Sequence, residues 1–95
     1  MTPLARDSAE VLALEALGWL AADDDLVGTF LGSTGASEGD VRDRAQDPEF
    51  LASVLDFILM DDAWVQAFCE ANDYKPEFPM RARAALPGGA AVNWT

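Results

Sequence analysis

Residues that commonly carry enzyme chemistry are few in this sequence. The chain of 95 residues contains no histidine and a single cysteine, Cys69. It therefore lacks the commonest general base and cannot form a Ser-His-Asp or Cys-His arrangement. One thiolate without imidazole also cannot complete a zinc or transition-metal shell. Cys69 shares an apolar helix face with Trp64, Val65 and Phe68, which favours a small buried hydrophobe over a nucleophile. We predict no catalysis, no cofactor and no metal.

Carboxylates are abundant, and helix starts explain their clusters. The three aspartates at residues 23–25 are typical of an N-cap followed by charges in the first turn. A calcium loop needs oxygen ligands at alternating positions and then a glycine, but Val27 and Phe30 fall where ligands belong. A glycosidase pair needs a cleft that a bundle of this size seldom has. Residues 32–35 lack the lysine of a phosphate-binding loop. The carboxylates thus indicate capping.

One segment resembles a nucleic-acid-binding unit. Residues 35–37 and the stretch after them are similar to the turn and second helix of a helix-turn-helix motif within about residues 30–45. Arg42 and Arg44 would supply the contacts. Three acidic side chains in residues 38–43 outnumber them, however, and a recognition helix needs hydrogen-bond donors. We favour a capped helix after an ordinary turn and keep nucleic-acid binding as the alternative.

Charge disfavours anionic partners in general. The 6 basic and 17 acidic residues give a net charge of −11. Such a chain repels nucleic acid and anionic membrane surfaces over its average field. The distribution is uneven, because the charged side chains after Tyr74 are Lys75, Glu77, Arg81 and Arg83, a net +2. We expect an acidic body with a basic last helix lying across it.

The sequence predicts a soluble, cytoplasmic protein. With one cysteine, no intrachain disulfide can form, which suits a reducing compartment. The apolar run at residues 11–22 is interrupted by Glu15 and preceded by Asp7 and Glu10, unlike a secretory signal with a basic front. No apolar run approaches the roughly 20 residues of a membrane span. We predict no membrane association.

The elements that would position any site are helices, and one of them stands out. Asp47 is a good N-cap, Pro48 suits the first helical position, and Glu49 places a negative charge at the positive end of the helix dipole. The helix that begins at Pro48 and ends at about Met60 carries apolar residues over more than half of its circumference. A helix of this kind is normally surrounded by others. We predict that it is the centre of the fold.

Cap and stop signals predict further helices around it. The first helix is expected to end at about residue 21. The others are expected to span about residues 26–31, 38–45, 62–72 and 79–86. Gly32 is expected to end the second helix, and Asn72 to end the fifth in the left-handed conformation. Trp64 and Ala71 are expected on the buried face of the fifth. The predicted fold is all-α, a small orthogonal bundle of five to six helices, with residues 1–87 as one domain.

Residues 88–95 are predicted to form a C-terminal tail. Pro87, Gly88 and Gly89 stop the last helix, yet the tail carries Trp94, a side chain with about 200 Å² to bury. Trp94 could fill a groove on its own bundle, on a second copy or on another protein. Together with Arg81 and Arg83 it forms our candidate interaction set, since a basic helix would be held near an acidic surface.

Seven short segments carry a resemblance to a known family. They are Ala9-Glu10-x-Leu12-Ala13-Leu14, Trp19-Leu20-Ala21, Phe30-Leu31, Asp47-Pro48-x-Phe50-Leu51, Val54-Leu55-Asp56-Phe57, Leu86-Pro87-Gly88-Gly89 and Trp94-Thr95. In these segments the chain resembles a family of short, uncharacterised bacterial helical proteins. The segments cover nearly the whole chain but are mostly core and cap positions. The resemblance implies the fold class and no activity.

These observations favour a noncatalytic module that acts by protein interaction or regulation. Its partner would be another protein or a second copy of the chain. The alternative is a nucleic-acid-associated regulator that uses the segment at residues 30–45.

Overall fold

A computed structural model describes residues 4–87, and these form six helices without a β-strand. In chain order the helices are α1 (Arg6–Ala21), α2 (Asp24–Thr34), α3 (Glu38–Asp43), α4 (Pro48–Ile58), α5 (Asp62–Asn72) and α6 (Phe78–Ala85). The all-α prediction is confirmed. No helix in this part of the chain is both long and apolar enough to cross a membrane.

Side-chain caps start four of the six helices, α2 to α5, where the sequence places them. The carboxylates of Asp23, Asp47 and Asp61 each accept a hydrogen bond from a backbone N–H in the first turn of the helix that follows. Ser37 and Asp40 form a capping box at α3, in which each side chain bonds the other residue's backbone N–H. These bonds satisfy N–H groups that have no partner inside the helix.

Two helix ends differ from the prediction. Gly32 does not end α2, which continues for two residues to Thr34 and is closed by Gly35 in the left-handed conformation at φ 74°. At the end of α5, Asp73 rather than Asn72 takes that conformation, at φ 61°. Each helix end has two residues that can adopt positive φ, Gly32 and Gly35 at α2 and Asn72 and Asp73 at α5. The local sequence does not determine which of the two ends the helix.

The core lies between α4 and α1. Seven of the eleven residues of α4 are buried, as expected for the central helix. Phe57 of α4 packs edge-on against Phe30 of α2, with ring centroids 5.3 Å apart, and stacks on Trp64 of α5 at 4.8 Å. Helix α1 shares the centre, because it packs against α2, α4, α5 and α6. The sequence had predicted α4 alone as the centre of the fold.

Individual core positions also differ. On α1, Leu17 is buried, and Trp19 is only half-buried against Phe68. On α5, Trp64 is half-buried and Ala71 is exposed, which corrects their assignment to the buried face. These residues lie at the margins of helix faces, where burial depends on the neighbouring helix.

Helix α6 is held on the bundle by its backbone and by Arg83. The backbone N–H of Leu4 donates to the carbonyl oxygen of Arg81 at 3.2 Å. The Arg83 guanidinium lies 2.6 Å from Asp56 of α4 and donates to the carbonyl oxygen of Pro87 at 3.0 Å. Through Arg83, the basic last helix contacts one acidic residue of the body, Asp56.

Candidate functional site

Helix α1 carries a second apolar stripe on the side that faces away from the core. Val11, Leu14, Gly18 and Ala21 recur at intervals of three and four residues and so share one helix face. Val11 is 58% exposed and Leu14 is 46% exposed. Apolar side chains on two sides of one helix are typical of a helix that binds elements on both sides.

Three residues of this stripe form the floor of a groove of about 690 Å³. Leu14, Gly18 and Ala21 contribute from α1, and Val27 and Leu31 of α2 form one wall. Its other wall comes from α3 and the residues after it, through Val41 and Ala45. We call this cavity the α1 groove. Its size falls within the range of ligand-binding clefts, and most of its lining is apolar.

The apolar surface continues along α1 toward its N-terminal end. A neighbouring cavity of about 400 Å³ shares Leu14 and Ala45 with the α1 groove and adds Val11 and Leu51. Another, of about 450 Å³, reaches from Val11 to Leu4 and Phe78. The three cavities together give α1 a continuous outer surface suited to an elongated ligand.

Charged side chains surround this surface. Asp24 and Glu38 line the α1 groove, and Asp24 follows the C-terminal end of α1 by three residues. Asp7 and Glu10 line the cavity near its N-terminal end. Arg42 also lines the groove, is exposed, and has no hydrogen-bond or ion-pair partner among residues 4–87. The rim is therefore mainly acidic, with one basic side chain in the wall formed by α3.

The two arginines of the helix-turn-helix hypothesis have different surroundings. Arg44 is held by the start of α4, because its Nε lies 3.4 Å from Asp47 and its guanidinium lies 5.1 Å above the ring of Phe50. Arg42 faces the α1 groove. Helix α3 has six residues, each exposed or half-buried. The structure thus separates the two side chains that would have acted together on a nucleic acid.

The other candidate interaction residues are brought together only in part. Arg81 and Arg83 both lie on α6, and the guanidinium of Arg81 lies 5.0 Å above the ring of Phe78. Arg83 is occupied by Asp56 and Pro87 and has an 18% exposed side chain. Trp94, with the predicted tail at residues 88–95, lies outside the described residues. A role of these three in binding stays a prediction.

Cys69 has the environment expected of a structural cysteine. It is 3% exposed, and its thiol donates to the carbonyl oxygen of Lys75 at 3.6 Å. Burial raises the pKa of this thiol, so the reactive thiolate is disfavoured. Among the described residues, no group of three Asp, Glu or Cys side chains is placed to share a metal ion.

Tyr74 provides the most perturbed ionisable group in the described part of the chain. Its hydroxyl donates a hydrogen bond to the Glu15 carboxylate of α1. That bond, followed by burial and by the negative charge of Glu15, raises the pKa of Tyr74 to about 12. A phenol held neutral in this way ties the chain after α5 to α1 but does not suit an acid or base at neutral pH.

The α1 groove was not predicted from the sequence, although one signal for it is present there. Leu14 aligns with Val11, Gly18 and Ala21 at helical spacing. The opposing side chains of α2 and α3 could not be placed without the packing of these helices. The groove is thus a property of three helices, and the stripe on α1 is the part of it that sequence can show.

The fold and this surface define a small all-α protein with an apolar groove formed by α1, α2 and α3. The chain belongs to a family described as proteins of unknown function, DUF3572, whose sequence pattern matches residues 6–89. This confirms the family resemblance predicted from the core and cap positions. No curated protein and no solved structure matches the chain.

Proposed function

We propose that this protein is a noncatalytic interaction module that binds a segment of another protein in the α1 groove. The observation that carries the proposal is the exposure of Leu14 in the groove, and of Val11 in the cavity that adjoins it, on a helix whose opposite face is already buried in the core. Burying each of these half-exposed side chains would contribute about 1 kcal/mol. Contiguous exposed apolar surface of this kind marks interaction sites.

The residues that line the α1 groove support binding rather than catalysis. The groove offers apolar contacts and a charged rim. Cys69 and Tyr74, whose pKa values are raised, do not line it, and Tyr74 lines the neighbouring cavity between Val11 and Phe78. Interfaces of this type consist of an apolar centre and a polar rim. A regulatory role would follow from the identity of the bound protein.

The nucleic-acid alternative has weaker support. A base-reading helix presents donors to the groove of a duplex. Helix α3 instead places Glu38 and Arg42 on the rim of an apolar cavity, and Arg44 is engaged with Asp47. The net charge of −11 opposes phosphate binding as well.

We also propose that the protein acts in a reducing compartment such as the cytoplasm. Cys69 is the single cysteine, and its burial leaves it unsuited to an intermolecular disulfide. The acidic surface likewise favours a protein partner over an anionic lipid surface.

Site-specific photocrosslinking in native cells tests the proposed function. A benzophenone side chain at Val11, on the edge of the groove surface, should give a discrete crosslinked product with another protein. The same group at Ala67, an exposed position on α5, serves as the matched control and should not give that product. An identical product at both positions, or none at Val11, would contradict the proposal.

A second substitution links the crosslink to the groove. Gly18 lies in the floor, and a Cβ added there has no described atom within 4 Å. Gly18→Met should fill the groove while favouring the helix, since glycine is a poor helix former. We expect loss of the Val11 crosslink at unchanged or higher thermal stability. Persistence of the crosslink would show that the groove is not the binding site.

A further inference from the structure

Resting on the proposed function, we infer that the occupant of the α1 groove is a basic amphipathic helix of another protein. The inference concerns the shape and charge of that segment. It follows from the length of the groove, the small residues in its floor and the sign of its rim.

The groove surface has the length of a short helix. From Val11 to Ala21 the axis of α1 rises about 15 Å, and from Asp7 to Ala21 about 21 Å. A partner helix of about 10 to 14 residues would cover this distance at the same rise per residue. Three or four apolar side chains at helical spacing would then face the floor, as in helix-in-groove recognition.

The floor allows a helix to approach closely. Gly18 and Ala21 place no large side chain between the axis of α1 and the ligand. The larger side chain of Leu14 lies where the groove meets the cavity at Val11. Both walls of the groove are also helical. The described part of the chain has no strand, so it offers no sheet edge to which an extended peptide could add. A helix is therefore the secondary structure that fits.

The charged residues around the groove surface favour basic residues at the two ends of the bound helix. Asp24, Glu38 and Arg42 line the α1 groove. Asp7 and Glu10 line the cavity near the N-terminal end of α1, where Arg6 pairs with Glu10 at 3.1 Å. Lys or Arg side chains at both ends of the bound helix would complement these carboxylates. Opposite charges at the rim chiefly raise the association rate and exclude wrong partners.

Charge also argues against a second copy and against the chain's own tail. Pairing two copies through this face in a symmetric dimer would place one acidic rim against the other. Residues 84–95 contain no charged side chain, and Pro87, Gly88 and Gly89 disfavour helix in their segment. Neither occupant supplies the basic flanks that the rim requires.

Selection from a displayed peptide library tests the inference. Each peptide would have about 14 residues, with leucine at helical spacing on one face and the remaining positions randomised among Lys, Glu, Gln and Ser. Selection on the full-length protein should enrich Lys over Glu at both ends, at least about tenfold relative to the starting library. Nuclear magnetic resonance of a selected peptide should show a helix when bound.

Matched variants separate the groove from general attraction to an acidic protein. Gly18→Met should abolish enrichment, whereas Gly32→Met, an equivalent change at an exposed position of α2 outside the groove, should retain it. Equal enrichment of Lys on Gly18→Met would overturn the inference, as would enrichment of Glu or a nonhelical bound peptide. If the Val11 crosslink forms but no basic helix is selected, the proposed function stands and this inference fails.

Discussion

At the scale of single residues, the contact between Tyr74 and Glu15 has the clearest consequence. It joins the chain after α5 to α1 across a sequence separation of 59 residues. Because the carboxylate accepts the phenolic proton, ionisation of Tyr74 would place two negative charges together and break the bond. The folded protein therefore retains this proton more strongly than the unfolded chain does.

The pH dependence of stability should report this contact. The pKa of Tyr74 is raised from its ordinary value of 10.0 to about 12, so the contribution of the contact is fully present below about pH 10. It should be lost as the pH rises from about 10 to about 12. Denaturant unfolding over this range should show a steeper decline for the wild-type protein than for Tyr74→Phe, which lacks the ionisable group.

Direct titration provides the second measurement. Tyr74 is the single tyrosine, so the rise of phenolate absorbance with pH belongs to this residue alone. Glu15→Gln should lower its midpoint, since the charge that opposes ionisation is removed. A midpoint near 10 in the folded wild-type protein would show that the hydrogen bond does not form in solution.

At the scale of elements, the end of α2 shows how a glycine's position decides its effect. Gly32 is an exposed residue within the helix, whereas Gly35 lies beyond the helix in the left-handed conformation. Alanine favours the helical conformation by about 0.5 to 1 kcal/mol over glycine. The same side chain costs about 1 kcal/mol or more at positive φ.

Alanine at these two sites should have opposite effects. Gly32→Ala should raise the free energy of unfolding by about 0.5 to 1 kcal/mol, and Gly35→Ala should lower it by about 1 kcal/mol. Urea midpoints of the two variants against the wild-type protein would measure both. The reverse order would place the end of α2 at Gly32, where the sequence analysis had predicted it.

At the scale of the whole molecule, the excess of negative charge opposes the compact state. The Cα radius of gyration is 12.4 Å, close to the screening length of about 10 Å in 0.1 M salt. Carboxylates on opposite sides of the bundle therefore repel one another in dilute buffer and are largely screened at physiological ionic strength. Salt bridges at the surface, such as that between Arg6 and Glu10, add little stability to offset this repulsion.

Moderate sodium chloride should consequently raise the melting temperature. The expected result is a rising midpoint in thermal scans from low to physiological ionic strength, because repulsion within a net charge of −11 is reduced. A flat or falling midpoint would mean that caps and local pairs already balance the field.

Two glutamate-to-glutamine substitutions test whether the effect of removing a negative charge depends on its position in a helix. Glu70 is exposed in the last turn of α5, and Glu49 is exposed in the first turn of α4. Glu70→Gln should raise the melting temperature at low salt, since it removes a negative charge from the negative end of a helix dipole. Glu49→Gln changes the net charge equally but removes a favourable interaction with the dipole, so it should stabilise less or destabilise.

Local signals in the sequence determined the helices and the fold class. Asp23, Ser37, Asp47 and Asp61 cap helices where they were predicted to do so, because a cap needs only its own first turn. The apolar periodicity of α4 likewise predicted its burial, since apolar residues cover more than half of its circumference and seven of its eleven residues are buried.

Tertiary packing decided which of several apolar surfaces are covered. On α1, Leu17 is buried and Leu14 is exposed although both are leucines of one helix, because α2, α4, α5 and α6 cover one side and leave the other open. In the same way, Arg83 pairs with Asp56, and Arg42 faces a cavity. These outcomes depend on residues distant in the chain. The α1 groove therefore exists only in the folded protein, since its floor and walls come from three helices.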